Sequence, residues 1–183
     1  MRKLIVFESV SVDGYFVDRG GDMSWAHNPD EEFDAFTAEN AKGGGTLVFG
    51  RITYELMAGW WPTSEAARMA PDVAAAMNRL PKVVFSRTME KADWANTRLI
   101  KSDPVAAIRA LKAEAGTDLV IMGSGSLVAL LARAALIDEY QLVLVPVVLG
   151  GGRTLFQGAE KSIPLTLAES RGFKNGNVFL RYV

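Results

Sequence analysis

The sequence contains no cysteine and only one histidine, His27. Without cysteine there are no disulfides and no thiolate chemistry, and a single histidine excludes a histidine-rich metal site and argues against a Ser-His-Asp triad. The longest uncharged apolar run, residues 119–132, is interrupted by Gly-Ser-Gly-Ser and falls short of the roughly twenty residues that a membrane-spanning helix needs. These absences predict a protein of the reducing cytoplasm that binds neither a metal nor a membrane.

Neither sign of charge predominates, because 20 Lys and Arg residues are balanced by 21 Asp and Glu residues, for a net charge of −1. Such a chain has no general attraction to nucleic acid, so a site for an anion must be built locally. Its 183 residues are 49% hydrophobic and 22% charged, as in ordinary globular proteins. The apolar run at residues 3–7 is too short for the core of a signal peptide. We therefore expect one globular domain over residues 1–183 with a small-molecule ligand.

The order of apolar runs and helix-start signals predicts an α/β fold. Strand-like runs alternate with helical segments, which favours a mainly parallel sheet covered by helices on both faces, that is, three α/β/α layers. Near the C-terminus, Asn175-Gly176 separates two alternating segments and predicts an antiparallel hairpin. Residues 9–28 are predicted to be a long loop. The predicted strands are residues 3–7, 46–49, 82–85, 97–100, 119–122, 139–148, 165–170 and 177–183, and the predicted helices begin near residues 29, 53, 71, 103 and 125.

Three of the predicted strands end in small, polar or basic residues, at the points where the chain turns into a helix or a loop. The three ends are residues 50–53, 86–88 and 123–126. Because parallel strands have their carboxyl ends at one edge of the sheet, these segments are expected at the edge where α/β proteins bind ligands. Helix N-termini there offer unpaired N–H groups to anions. A ligand with several phosphates, such as a dinucleotide, fits this pattern.

The Gly-Ser-Gly-Ser turn at residues 123–126 differs from two common phosphate-binding motifs. It lacks the third glycine of the Rossmann fingerprint, and residues 142–145 are apolar where that fold would carry an acidic residue. No Gly-Lys-Ser/Thr follows, which excludes a P-loop. Arg51 and Arg87, at the other two strand ends, favour an additional phosphate such as that of NADP, because guanidinium binds phosphate in a bidentate manner.

Taken in order, these motifs resemble the dihydrofolate reductase-like superfamily. In particular, the chain resembles the C-terminal reductase domain of the bifunctional riboflavin-biosynthesis deaminase/reductase and its stand-alone homologues over nearly its whole length. The resemblance implies a dihydrofolate reductase-like fold, a homodimer, and NADPH-dependent hydride transfer to an imine or carbonyl carbon of a heterocycle, as in a 5-amino-6-(5-phosphoribosylamino)uracil reductase. The segments that carry it are ESVSVDGYF, LVFGRITYE, VVFSRT and IMGSGSLVALLARAALIDEYQLVLVPVVLGGGRTLF.

The resemblance also implies roles for individual residues. Asp13 is implied to be catalytic, in the loop that borders nicotinamide and substrate, with Gly14, Trp25 and Phe33 on the substrate side. No metal ligand is implied. The residues implied to bind NADPH are Gly50, Arg51 and Thr53 at its phosphates, Ser86 and Arg87 at the adenosine and its 2′-phosphate, and Gly123, Ser124, Gly125, Ser126 and Leu127 under the pyrophosphate.

Other interpretations of these residues stay open. Asp13-Gly14 is also a common turn dipeptide, and aromatic residues such as Trp25 and Phe33 are more often core or dimer contacts than pocket walls. The riboflavin reductases usually carry an acid before the glycine turn, whereas this chain has Met122 and then reads Gly-Ser-Gly, as the stand-alone homologues do. A dihydrofolate or pterin reductase, a non-catalytic nucleotide- or pterin-binding module, and a phosphate-binding transferase are therefore alternatives.

Overall fold

The computed structural model describes residues 1–157 and 162–183, which form a large sheet, a small ribbon and helices on both sides of the sheet. The strands are β1 (Leu4–Ser11), β2 (Tyr15–Val17), β3 (Thr46–Gly50), β4 (Lys82–Phe85), β5 (Thr97–Ile100), β6 (Leu119–Met122), β7 (Glu139–Val145), β8 (Arg153–Thr154), β9 (Leu167–Gly172) and β10 (Val178–Tyr182). The helices are α1 (Glu31–Lys42), α2 (Arg51–Trp60), α3 (Ser64–Met69), α4 (Pro71–Arg79), α5 (Pro104–Ala113) and α6 (Gly125–Arg133), with a 3-10 turn at Ser24–Ala26.

The large sheet has eight strands in the order β5-β4-β3-β6-β1-β7-β10-β9. The first six strands in this order run parallel, and the hairpin β9–β10 adds two antiparallel strands beside β7. The strands β2 and β8 pair with each other in a separate antiparallel ribbon. The predicted mainly parallel sheet with a C-terminal hairpin is therefore confirmed.

Alternation of side chains along each strand supplies apolar surface to both faces of the sheet. On one face, α5 and α6 pack against the sheet, and Ile108 and Leu131 join Val6 and Ile121 in the largest core cluster. On the other face, α2 and α4 cover β3 and β4, while α1 covers the region of β7 and β10. The expected three α/β/α layers are confirmed.

Side-chain caps explain where several helices begin. Asp30 accepts a hydrogen bond from the Phe33 N–H at 2.9 Å and so caps α1, and Asp103 caps α5 in the same way. Thr63 accepts from the Ala66 N–H at 3.1 Å and starts α3, a helix that the sequence analysis did not predict. Proline at the first position of α4 and of α5 suits a helix start because it needs no N–H partner there.

Three further boundaries differ from the sequence prediction. The predicted loop at residues 9–28 contains the end of β1, the strand β2 and the 3-10 turn. Strand β7 ends at Val145 instead of residue 148, because Pro146 has no N–H to donate to the sheet. Strand β9 spans Leu167–Gly172 where residues 165–170 were predicted, so the strand lies slightly later in the chain than expected.

Lys82 is a buried cation beneath the second of the two helical faces. Its ammonium donates hydrogen bonds to the carbonyl oxygens of Asn78 (3.2 Å), Leu80 (2.7 Å) and Ala95 (3.1 Å), and it lies 4.4 Å from the centre of the Trp94 ring. Burial lowers the pKa of Lys82 from 10.5 to about 8. The side chain therefore ties β4 to two other chain segments, the end of α4 and the residues before β5, through their backbone carbonyls.

Within residues 1–157 and 162–183, no helix is long and apolar enough to cross a membrane. The same residues bring together no group of three or more His, Asp or Glu side chains that could hold a metal ion.

Candidate functional site

The strand register places the three polar strand ends in one row at the carboxyl edge of the sheet. Gly50 pairs with Phe85, so residues 86–88 leave β4 beside the start of α2. Val48 pairs with Ile121, so the end of β6 lies beside the end of β3. The row is therefore continuous across β4, β3 and β6, which are neighbours in the sheet.

Strand β1 is next in this row. Phe7 pairs with Met122, so Glu8 lies beside Gly123, the first residue after β6. Helix α6 packs on one face of the sheet, whereas α1 and α2 pack on the other. Where chain segments leave neighbouring strands toward opposite faces, a crevice opens outside the strand ends, and α/β proteins bind ligands there. Such a crevice opens beside the end of β6 on the side toward β3.

Gly123 and Ser124 form a tight link between β6 and α6, with positive φ angles of 63° and 64°. A Cβ on Gly123 would lie 2.8 Å from Thr53 Cγ2, so only glycine permits this close approach. Ser124 Oγ accepts a hydrogen bond from the Gly50 N–H (2.7 Å) and donates one to Thr53 Oγ1 (3.0 Å). These bonds offset the cost, roughly 1 kcal/mol or more, of a left-handed serine. The turns after β3 and β6 are thereby joined into one unit.

The first turn of α6 leaves backbone N–H groups available. The Ser124 side chain does not cap the helix, because its hydroxyl is committed to the turn after β3. The Leu127 N–H donates to the Ser124 carbonyl oxygen at 2.8 Å, and the Leu127 side chain is buried in the core. In the part of the chain that the structure describes, the N–H groups of Gly125 and Ser126 have no acceptor. With the positive end of the helix dipole, they are suited to bind an anion.

Two arginines and a serine occupy the neighbouring strand ends. Arg51 is exposed and forms an ion pair with Glu55 at 3.0 Å, which contributes at most about 1 kcal/mol and is readily exchanged for a phosphate. Arg87 is exposed and forms no ion pair with the described residues. Ser86 Oγ accepts hydrogen bonds from the N–H groups of Thr88 (3.2 Å) and Met89 (3.0 Å), so it holds the turn that carries Arg87.

Asp13 lies in the exposed turn after β1, where its carboxylate accepts hydrogen bonds from the N–H groups of Leu149 (3.1 Å) and Gly150 (2.8 Å) and from Ser11 Oγ (2.7 Å). Desolvation raises the pKa of Asp13, but these hydrogen bonds outweigh it and hold the pKa below 3.8. The side chain ties this turn to the segment after β7, and its catalytic role stays a prediction. Gly14, with a φ of 85°, completes the same turn.

Trp25 and Phe33 lie together on the α1 face of the sheet. Both pack against the apolar cluster that contains Val143 and Phe173. The Phe33 ring meets the Phe173 ring edge-on, with 5.1 Å between the centroids, and Trp25 Nε1 donates to the Asp22 carbonyl oxygen at 3.1 Å. Core packing therefore accounts for part of the surface of both side chains, and their contact with substrate stays a prediction.

Glu8 is a residue at this edge that the sequence analysis overlooked. Its side chain is only 4% exposed, and burial raises its pKa from 4.5 to about 8, with the backbones of Ser9 and Gly123 opposing the shift only in part. Oε1 accepts a hydrogen bond from the Ser9 N–H at 3.1 Å, and the nearby Gly123 N–H also favours the carboxylate, although Oε2 makes no hydrogen bond of ordinary geometry within the described residues. The available clue was an acid directly after the apolar run at residues 3–7, which was predicted to be a buried strand.

A cavity of about 270 Å³ adjoins the first turn of α6, and its walls include Phe16, Ser126 and Arg153. The Phe16 ring covers Gly125, where a Cβ would lie only 2.5 Å from the ring. Arg153 lies 5.7 Å from the centre of the same ring. The N-terminus of α6 therefore has a cation on this side as well.

Residues 2–179 of the chain match the family described as the RibD C-terminal domain. The chain belongs to the RibD C-terminal domain family. The resemblance that the strand-end motifs indicated is therefore confirmed, and the sheet edge described above is the candidate site of a RibD C-terminal domain.

Relatives of this RibD C-terminal domain protein extend over its whole length. The uncharacterized protein YyaP of Bacillus subtilis (strain 168) is 28% identical and matches 99% of this chain and 94% of its own. The crystal structure of a putative riboflavin biosynthesis protein from Shewanella sp. PV-4 is 26% identical, with a TM-score of 0.74 and coverage of 98% and 97% of the two chains. A deaminase/5-amino-6-(5-phosphoribosylamino)uracil reductase from Thermotoga maritima shares the fold with a TM-score of 0.70 at 13% identity, and the match spans 56% of that longer chain.

Proposed function

We propose that the protein is an NADPH-dependent reductase that transfers hydride to an imine or carbonyl carbon of a heterocyclic substrate. The observation that supports this proposal is the convergence of two helix N-termini, those of α2 and α6, at the crevice between β3 and β6. The bound cofactor would supply the hydride. The chain would hold it in place, exclude water and handle one proton.

The pyrophosphate fits the first turn of α6. The N–H groups of Gly125 and Ser126, which lack acceptors within the described residues, would donate to its oxygens, as would the exposed Ser126 hydroxyl. Because Ser124 bonds to the turn after β3, these donors are already fixed before the ligand arrives. Less ordering is then required on binding, which favours affinity.

The 2′-phosphate that distinguishes NADPH from NADH fits the two arginines at the adjoining strand ends. Arg51 can exchange its exposed partner Glu55 for a phosphate, and Arg87 extends from a turn fixed by Ser86. Guanidinium groups bind phosphate through paired N–H donors. A preference for NADPH is therefore part of the proposal.

A pyrimidine intermediate of riboflavin biosynthesis is the substrate class that we favour, with a pterin as the alternative. Membership of the RibD C-terminal domain family and the riboflavin-related Shewanella relative support it. Trp25 and Phe33 offer aromatic surface for a flat ring on the α1 side. Met122, in place of an acid before the glycine turn, is the feature of this chain that favours testing both classes.

Titration with NADPH and NADH, followed by cofactor fluorescence or calorimetry, tests the cofactor directly. We expect binding of both, with NADPH at least roughly tenfold tighter because of its additional charge-assisted contacts. Arg87→Ala should remove most of this preference while leaving NADH affinity nearly unchanged. Arg109→Ala, an exposed arginine on α5, is the matched control and should change neither affinity. Failure of both cofactors to bind would exclude the reductase.

Turnover is the second part of the test. With NADPH bound, steady cofactor oxidation is expected with the riboflavin-pathway ribosylaminopyrimidine, with dihydrofolate or a pterin as the competing substrates. Cofactor oxidation with a pterin alone would redirect the substrate assignment. Tight NADPH binding without oxidation of any of them would favour a non-catalytic binding module.

A further inference from the structure

We propose that the cavity between α6 and the β2–β8 ribbon binds a phosphate group, either free phosphate or a small phosphate monoester, at a site separate from the crevice assigned to NADPH. The proposal goes beyond the reductase function and does not depend on it. Three observations carry it: the place of the cavity in the fold, the charge of its lining and the fixed position of one of its arginines.

The cavity lies on the side of α6 that faces away from the cofactor crevice. That crevice opens between β6 and β3, where Ser124 links the two turns. The ribbon instead continues from β1, the strand on the opposite side of β6, and its Phe16 packs in one cluster with Val10 of β1. The two places meet only at the first turn of α6, where Gly125 and Ser126 also line the cavity. A ligand between the ribbon and α6 would therefore leave the crevice open.

The lining of the cavity is positively charged. Arg133 and Arg153 both line it, and none of the described residues around its volume of about 270 Å³ is acidic. Three further lining residues, Ser126, Thr154 and Gln157, have hydroxyl or amide side chains. Phosphate oxygens are bound by the paired N–H donors of guanidinium groups, supplemented by neutral donors of this kind. The lining therefore suits a phosphate group better than a cation or an apolar ligand.

Arg153 is held in place without an ion pair. Its guanidinium carbon lies 5.7 Å from the centre of the Phe16 ring, within the range of a cation–π contact. Its Nη2 atom lies against Gly21, where an added Cβ would be 3.7 Å away. The Arg153 side chain makes no hydrogen bond or ion pair with residues 1–157 and 162–183. Its N–H donors are thus positioned by the ribbon and available to an anion.

The acids of the adjoining loop do not neutralise this arginine. Asp18 accepts a hydrogen bond from the Asp22 N–H at 2.8 Å, and the Asp22 carboxylate accepts one from a serine hydroxyl two residues later. Both carboxylates therefore serve the loop after β2. A further cation, Arg19, donates to a backbone carbonyl oxygen of the glycine segment before β8 at 2.8 Å. The ribbon and its loops thus present positive charge beside the cavity.

The size of the cavity limits the ligand to a small one. Pockets for drug-sized molecules have volumes of roughly 300 to 1,000 Å³, and this cavity lies just below that range. A phosphate held between Arg153 and α6 would join the ribbon to the helix. Because such a ligand binds the folded chain and not the unfolded one, it should raise the melting temperature in proportion to its occupancy.

Calorimetry with inorganic phosphate and with methyl phosphate, without NADPH and at constant ionic strength in sodium chloride, tests the site. We expect a Kd of roughly 1 mM or lower for at least one of them, and the tighter of the two identifies free phosphate or an ester as the ligand. Arg153→Ala should weaken binding at least roughly tenfold, and Arg153→Lys, which keeps the charge but not the paired donors, should weaken it less. Arg109→Ala, an exposed arginine on α5, is the control and should leave the Kd unchanged.

Two further measurements locate the bound phosphate. In ¹H–¹⁵N NMR spectra, phosphate should shift the backbone signals of Ser126 and Thr154 more than that of Arg87. Thr154→Val, which removes a hydroxyl at nearly constant size, should weaken binding by about threefold. Circular dichroism checks that each variant is folded.

The outcomes separate this site from the reductase assignment. Binding of neither phosphate compound, or equal binding by the wild type and folded Arg153→Ala, would overturn the proposal. Strict competition between phosphate and NADPH would also overturn it, because the two sites would then be one. If phosphate binds in an Arg153-dependent manner but NADPH does not bind, the reductase function is overturned and the phosphate site stands.

Discussion

Replacing Glu8 with glutamine removes one titrating group from the folded protein and should change how the free energy of unfolding depends on pH. The pKa of Glu8 rises from 4.5 to about 8 on folding, because burial disfavours the carboxylate. Between these two pH values the folded protein holds a proton that the unfolded chain has released. The stability that this proton contributes is fully present below pH 4.5 and is lost as the pH rises through about 8.

The size of the effect follows from the shift. One pKa unit corresponds to about 1.4 kcal/mol, so the shift of Glu8 amounts to roughly 5 kcal/mol in total. Most of this change, roughly 3 to 4 kcal/mol, falls between pH 5 and pH 8. Glutamine does not titrate, and all other groups are shared by the two proteins. The difference in unfolding free energy, Glu8→Gln minus wild type, should therefore increase by about 1 kcal/mol per pH unit over this range.

Urea unfolding followed by tryptophan fluorescence at pH 5, 6, 7 and 8 measures this difference, with both proteins fitted to one m-value. Glu90→Gln, at an exposed acid, should run parallel to the wild type. If the curves of Glu8→Gln and the wild type are also parallel within about 0.5 kcal/mol, Glu8 is ionised in the folded protein and the argument from burial is refuted.

The other predictions concern the cofactor turn, a buried cation and assembly. Gly123→Ala should lower the free energy of unfolding in urea by about 1 to 3 kcal/mol, because Gly123 has a positive φ and its new Cβ would collide with Thr53. Its control is Gly59→Ala in α2, where a Cβ meets nothing within 4 Å; this change should be neutral or stabilising by about 0.5 kcal/mol. Lys82→Met should cost about 2 kcal/mol because three carbonyl oxygens lose their buried donor, while Lys91→Met at an exposed site should change stability by less than about 0.5 kcal/mol. If the chain forms the homodimer that the family resemblance implies, light scattering should give twice the mass of one chain. Leu167→Glu, on the exposed strand β9, should then shift the mass toward one chain. A single-chain mass for the wild type would contradict the implied dimer.

Much of the fold could be predicted because its strands are short apolar runs with clear ends. The bounds of β4, β5 and β6 agree with the predicted segments 82–85, 97–100 and 119–122. Two of the failures each turned on a single residue. Pro146 ends β7 although apolar residues continue beyond it, and Thr63 begins α3 in a stretch with little apolar periodicity.

The site was predictable only as far as topology determines it. A parallel sheet places its carboxyl ends together, so the row at residues 50–53, 86–88 and 123–126 followed from the strand assignment. Neither the hydroxyl link of Ser124 to Thr53 nor the burial of Glu8 follows from local sequence. Ser124 and Thr53 are more than seventy positions apart in the chain, and Glu8 and Gly123 are more than a hundred apart. The strand order β1-β6-β3 brings both pairs together.

The Ser124 hydroxyl also constrains how this chain can change by mutation. The hydroxyl bonds to the Gly50 N–H and to Thr53, and a Cβ at position 123 would collide with the Thr53 side chain. A change in either turn therefore disturbs the other. Relatives that replace Ser124 with a residue lacking a hydroxyl should therefore also carry a change at Thr53, so the two positions should covary. In a library that randomises both, functional clones should be recovered as matched pairs, and either turn transplanted alone from a distant relative should fold poorly.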